Sequence, residues 1–126
     1  MFVSFDDVLG LKYLVIGSDR VQARLEITDK LLQPWGIVHG GVYCSIIESV
    51  ASISGQTWLQ EHGGGKVVGV NNNTDFLRAV SSGTVTAVSS PVHRGRLQQL
   101  WLTVITDEND RVVARGQVRL QNLPPD

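Results

Sequence analysis

One segment of this 126-residue chain shows no strand-like alternation. Gly40 to Glu61 carries Val42, Ile46, Ile47, Val50, Ala51 and Ile53 among small residues, so apolar and small side chains cover most of its circumference. That pattern predicts one long helix buried on nearly all sides. His62-Gly63-Gly64-Gly65 ends it, because a glycine run frees the backbone to turn. A lone buried helix must be wrapped by something else, and the rest of the chain reads as strands. Leu11 to Ile16 is an apolar run closed by Gly17-Ser18-Asp19. Val21, Ala23, Leu25 and Ile27 then alternate strictly with Gln22, Arg24 and Glu26. A loop from Thr28 to Val38 leads into the helix.

Beyond the helix, Val67 to Val70, Val85 to Val88, Leu100 to Thr106 and Val112 to Leu120 are β-branched or aromatic runs. They are separated by turn chemistry at Ser81-Ser82-Gly83, His93-Arg94-Gly95-Arg96 and Asp107-Glu108-Asn109-Asp110. Short links between consecutive strands favour antiparallel pairing. The expected architecture is α+β: a single domain over residues 1–126, with one long central helix wrapped by an antiparallel sheet of about five to six strands. Hydrophobic residues are 42% of the chain and charged residues 18%, enough apolar material for a core.

Eleven Lys and Arg stand against twelve Asp and Glu, a formal net charge of −1. Nucleic-acid binders and polybasic membrane-surface proteins need a basic excess, so neither partner is expected. The most apolar stretch, Gly36 to Leu59, carries His39 and Glu48 and is no membrane span. No secretory leader is visible at the N-terminus, and one cysteine, Cys44, makes no disulfide framework; a cytoplasmic location is the expectation. His39, His62, His93 and Cys44 lack the paired spacing of a zinc site, so no metal is expected.

Chemistry concentrates between residues 33 and 52, Q-P-W-G-I-V-H-G-G-V-Y-C-S-I-I-E-S-V-A-S. Gly40 and Gly41 leave backbone N–H groups bare at a loop-to-helix junction. The first turn of a helix has unsatisfied donors and a partial positive charge, so this corner can hold an oxyanion. The plainer reading is that two glycines simply permit close packing. Glu48 sits between Ile46-Ile47 and Val50-Ala51, where a carboxylate needs a partner or a purpose. It can be a nucleophile or general base, a residue at the rim, or the partner of an arginine across an interface. Gly40 and Glu48 are eight residues apart, about 12 Å along a helix axis at ~1.5 Å per residue. No single thioester or ester carbonyl touches both. If both act on one substrate, they come from two copies of the helix, hence from two subunits that build the site twice.

The string Gln33…His39-Gly40-Gly41…Glu48…Ser52 resembles the hotdog-fold acyl-CoA thioesterases of the phenylacetate-pathway type. Within them it resembles the branch of the 4-hydroxybenzoyl-CoA, 1,4-dihydroxy-2-naphthoyl-CoA and enterobactin proofreading thioesterases. The likeness runs from about Val8 to Leu120, with the family's first helix shortened. It implies hydrolysis of an acyl-CoA thioester, the acyl group aromatic or otherwise bulky, to free acid and coenzyme A. Glu48 would attack the carbonyl or activate water, and the Gly40 N–H of the partner subunit would hold the oxyanion. His39 would lie near the carbonyl or the departing thiolate, with Gln33 and Ser52 orienting water or carboxylate. The resemblance implies no cofactor besides the coenzyme A of the substrate, no metal, and a homodimer or dimer of dimers.

The likeness also carries over the segments that line the acyl-CoA site: Gly69 near the acyl group, Phe76-Leu77-Arg78-Ala79, and His93-Arg94-Gly95-Arg96-Leu97-Gln98. Arg78, Arg94 and Arg96 would suit coenzyme A phosphates; Arg94 and Arg96 also read as ordinary solvated turn residues. Phe76 departs from a polar residue found in some relatives, and Asn71-Asn72-Asn73 departs from acidic or apolar ones. Two other functions fit the same fold: a non-catalytic acyl-CoA-binding module, and a hotdog dehydratase or hydratase.

Overall fold

The computed structural model describes residues 2–126. Ser4 starts a short helix, α1 (Phe5–Leu9), by a reciprocal cap in which its hydroxyl accepts from the Asp7 N–H and the Asp7 carboxylate accepts from the Ser4 N–H. The strands β1 (Lys12–Ile16) and β2 (Val21–Glu26) form a hairpin. A 3₁₀ turn at Asp29–Leu31 leads into the long helix α2 (Gly40–Gln60). Four strands follow: β3 (Lys66–Phe76), β4 (Thr84–Arg94), β5 (Gln98–Thr106) and β6 (Val112–Leu123). All six join one sheet in the order β1-β2-β4-β5-β6-β3, every neighbouring pair antiparallel. The sheet wraps α2 as the sequence predicts, the hotdog arrangement. No helix among the described residues is long and apolar enough to cross a membrane.

One stripe of α2, with Ile46, Ile47, Val50 and Ala51, seats against Val21, Leu25, Trp101, Ile105, Val118 and Leu120 from the sheet. Each large side chain buried there contributes about 1.5–3 kcal/mol. Gly55 lets the helix come down onto β5 and β6, since a methyl group there would overlap Leu120 and lie 3.0 Å from Gln99 Oε1. Gln99 is itself buried and satisfied: Nε2 donates to Gly55 O and Asn122 Oδ1, and Oε1 accepts from Trp101 Nε1. The helix ends where expected, with Gly63, Gly64 and Gly65 at φ of 103°, 78° and 111°.

Three sequence expectations need correction. The helix is not buried on nearly all sides: opposite its core stripe, Cys44, Ser45, Glu48, Ser49 and Ser52 are only half-buried, because the sheet covers one face of it. β3 runs well past Val70, through the three asparagines to Phe76, because pairing with β6 overrides their weak strand preference. His93 and Arg94 belong to β4, opposite Leu100 and Gln99, so the turn after them is confined to Gly95, Arg96 and Leu97.

Candidate active site

The loop before α2 is folded back on itself. Gln33 N–H donates to Ile37 O, Gly36 turns at φ 84°, and Leu32 bridges Val38. Gln33 Oε1 accepts from the Trp35 N–H, which leaves the Trp35 side chain 84% exposed at the loop tip. His39 is the N-cap of α2. Its Nδ1 accepts from the Gly41 N–H at 2.8 Å, and its carbonyl takes the Val42 N–H at 2.9 Å. Accepting at Nδ1 puts the proton of a neutral imidazole on Nε2. Gly40, the first helical residue, has no carbonyl one turn back, so its N–H is left free.

Two clefts flank this helix start. One, of about 410 Å³, is lined by Gln33, Ile37, Gly40 and Tyr43 together with Phe76, Leu77, Arg78 and Ala79. The other, of about 450 Å³, lies against His39, Gly41, Ser45, Phe5 and Val8. The Phe76 ring rests directly on Gly40: a Cβ there would sit 2.7 Å from two ring carbons. Tyr43 packs beside it, ring centroids 6.3 Å apart. The Tyr43 hydroxyl is buried with no hydrogen-bond partner, and burial, reinforced by the Asp107 carboxylate, pushes it up to about 12.

Glu48 lies two turns further along α2, half-buried against β3. Its Oε1 accepts from Asn72 Nδ2 at 3.2 Å. Its Oε2 lies over Gly69, where a side chain would overlap it. Gly69 is thus the residue that admits the carboxylate to the strand. Ser52 follows one turn later, on the same side of the helix as Glu48. A free amide at a helix start can hold a developing oxyanion, and a carboxylate braced on one oxygen can attack a carbonyl or activate water.

Within one chain the predicted residues fall into three groups. Gln33, His39, Gly40 and the segment Phe76 to Ala79 gather at the start of α2. Glu48, Ser52 and Gly69 lie at its middle. His93 to Gln98 sit apart: Arg96 and Leu97 line a different cleft, near Leu59 and His62 at the far end of the helix. Gly95 N–H donates to Gln98 O there, and a Cβ at Gly95 would lie 2.7 Å from His93 Nε2. Arg94 is already engaged, paired with Asp19 at 2.6 Å, bonded to Ser18 O, and placed over the Trp58 and Trp101 rings. Asn72 is not among the site residues that the sequence points to. Its signal in the sequence is the Asn71-Asn72-Asn73 run, just past the strand expected to end at Val70.

A helix wrapped by an antiparallel sheet, with a glycine N–H bare at the helix start and a glutamate at its middle, defines a class. The chain belongs to the thioesterase superfamily, whose description matches residues 36–114. It is 62% identical over 122 residues to the candidate esterase Rv1847 of Mycobacterium tuberculosis, covering 96% of this chain and 87% of that one. The solved structure of that protein superposes with a TM-score of 0.96 at 59% identity, covering 98% of this chain and 99% of the other. The chain is also 37% identical over 103 residues to the proofreading thioesterase EntH of Cronobacter turicensis, over 82% of this chain and 74% of EntH. To the 1,4-dihydroxy-2-naphthoyl-CoA hydrolase of Escherichia coli it is 34% identical over 110 residues, over 87% and 79%. Its relatives are thioesterases and esterases, and hydrolysis is the activity their names share.

Proposed function

We propose that the chain hydrolyses an acyl-CoA thioester with an aromatic or otherwise bulky acyl group, in a homodimer whose subunits share each site. The observation that carries this reading is how β3 runs beside α2. Phe76 rests on Gly40, while Asn72 and Gly69 meet Glu48. β3 is an edge strand, paired only with β6, and its exposed Val68 and Val70 lie along it. An open edge of eleven residues is a template for a second strand. A two-fold axis near the middle of β3 carries the Phe76 end of one copy toward the Gly69 end of the other. One subunit's Gly40 N–H then approaches its partner's Glu48, which meets the 12 Å objection.

In this reading Glu48 attacks the thioester carbonyl or deprotonates water, and the free Gly40 N–H takes the oxyanion. The Nε2–H of His39 faces the carbonyl or the departing thiolate, and Gln33 and Ser52 orient water or carboxylate. The cleft beside Phe76, Tyr43 and Ile37 accepts an apolar ring. Arg78 in the same cleft, and Arg96 of the partner's hairpin or its own, are the cations open to coenzyme A phosphates.

The test is thiol release from aromatic, short-chain and long-chain acyl-CoA esters by wild type and Glu48→Ala. Release from the aromatic members, lost in the variant with the dimer intact, is expected. Full activity in Glu48→Ala overturns the assignment. Tight acyl-CoA binding without release converts it to a binding module, and loss of an enoyl chromophore without thiol release to a hydratase. Sharing is tested by mixing Glu48→Ala with the double variant Gly40→Pro/Phe76→Ala: helices accept proline at their first position, and the alanine removes the ring that its side chain would otherwise meet. Random reassortment returns about a quarter of wild-type turnover if the site spans subunits, and none if it does not.

A further inference from the structure

We propose that Asn72 is a positioning residue for Glu48, holding Oε1 so that Oε2 is the oxygen that reacts. The proposal rests on the reading of Glu48 above and adds to it the device that aims the carboxylate. A glutamate half-exposed on a helix has three soft torsions and no single position of its own. Here two features of β3 remove that freedom. Gly69 leaves room for Oε2 against the strand, and Asn72 Nδ2 donates to Oε1.

The Asn72 amide is itself held from three sides. Its Nδ2 donates to Cys44 O at 3.1 Å as well as to Glu48 Oε1 at 3.2 Å, and its Oδ1 accepts from Thr74 Oγ1 at 2.7 Å. The reversed amide would set its oxygen against a carbonyl and a carboxylate, two acceptors, and its NH₂ against the hydroxyl. Only the observed orientation satisfies all three contacts. Cys44 is one turn before Glu48, so one NH₂ group fastens the strand to the helix and the carboxylate at once. Glu48 Oε2 has no such donor.

The strand is shaped to bring Asn72 there. β3 pairs regularly with β6 up to Gly69, opposite Leu120, and resumes at Asn71, opposite Arg119; Val70 is the extra residue of a bulge. The bulge resets which side chains face inward. Val67 and Gly69 face α2 before it, and Asn72, Thr74 and Phe76 after it, while Asn71, Asn73 and Asp75 lie on the outer face with Arg115 and Arg119. Without the bulge, Asn71 and Asn73 would point at the helix and Asn72 away. On its helix-facing side β3 therefore offers Glu48 only neutral groups, and Cys44 is the other titratable side chain one turn away on α2.

The experiment compares Asn72→Leu, Asn72→Asp, Thr74→Val and Thr74→Ser with Glu48→Gln, each assayed for kcat and KM on the best acyl-CoA substrate and for its dimer. Leucine matches asparagine in size and removes the donor. It should lower kcat about 10- to 100-fold and leave KM within about threefold, because the carboxylate loses the donor that aims it. Asn72→Asp sets a second carboxylate against the first, turns the donor into a repelling acceptor, and should lower kcat at least as far. Thr74→Val should lower kcat about threefold or more, and Thr74→Ser should restore it.

An inactive Glu48→Gln beside an Asn72→Leu of unchanged kcat overturns the proposal and leaves the role of Glu48 standing. A fall in kcat that comes with a lost dimer, or with KM raised in proportion, also overturns it, since the residue would then serve only the fold or substrate binding. An active Glu48→Gln overturns the reading of Glu48 itself. If Asn72→Leu does not fold, the Thr74 pair decides: equal kcat in Val and Ser overturns the proposal.

Discussion

A single methyl group at Gly69 tests whether the carboxylate works where it lies. Gly69→Ala would place a Cβ that overlaps Glu48 Oε2 and stands 3.1 Å from its Cδ. Carbon atoms settle at about 3.5–4.0 Å. The carboxyl carbon must therefore retreat by about 0.4–0.9 Å, and its oxygen by more. The 3.2 Å bond from Asn72 then stretches beyond hydrogen-bond range. A displacement of about 1 Å costs a reacting group about 100-fold, or about 2.7 kcal/mol of barrier. Stability should change by less than about 1 kcal/mol, because the atom that yields is the end of a half-exposed chain and alanine suits a strand better than glycine. Gly55→Ala is the matched control. Its methyl meets Leu120 and Gln99, both fully buried, and neither can retreat. That substitution should cost about 1–3 kcal/mol of stability and leave kcat per folded molecule near wild type. Thiol-release kinetics and thermal denaturation of the two variants read both effects. Activity within about threefold of wild type in a normally folded Gly69→Ala shows that the carboxylate does not work from this position. A change confined to KM shows instead that the methyl crowds the acyl group.

Two further outcomes follow from the same geometry. His39 both caps α2 and presents Nε2–H, and these roles separate on substitution. His39→Ala should lose about 1 kcal/mol of stability together with activity, whereas His39→Ser, itself a good cap, should keep the stability within about 0.5 kcal/mol and lose only activity; equal loss of stability in both refutes the capping role. Tyr43 is raised from an ordinary value of 10.0 to about 12, so between those values the native state binds more protons than the unfolded one. Its contribution is complete below pH 10 and is lost as pH rises through about 12, with Tyr13 displaced the same way by burial and its bond to Asp6. Denaturation midpoints across that range should fall in wild type and fall less steeply in Tyr43→Phe, which also removes a buried hydroxyl without a partner. Identical slopes would place the titration elsewhere.

The features legible from the sequence are those written in local periodicity. The helix was visible because twenty-one residues without alternation, closed by three glycines, fit no strand. The alternation of β2 displayed its buried face directly. What stayed hidden was set by pairing between distant segments. Asn71 to Asp75 carry almost no strand preference, yet β6 fixes them in register from Arg119 to Arg115. Arg94 looked like a turn cation because its partners, Asp19 and the Trp58 and Trp101 rings, are remote in the chain. The case of Glu48 lies between these extremes. Its oddity on an apolar helix was legible, and so was its 12 Å distance from Gly40, since both depend only on helical geometry. Its surroundings were not. Whether Asn71 or Asn72 meets that carboxylate depends on one unpaired residue, Val70, and a parity change of one residue turns a whole run of side chains from one face to the other. A bulge of this kind has no composition of its own to read, so the strand could be anticipated while its polar contact with the helix could not.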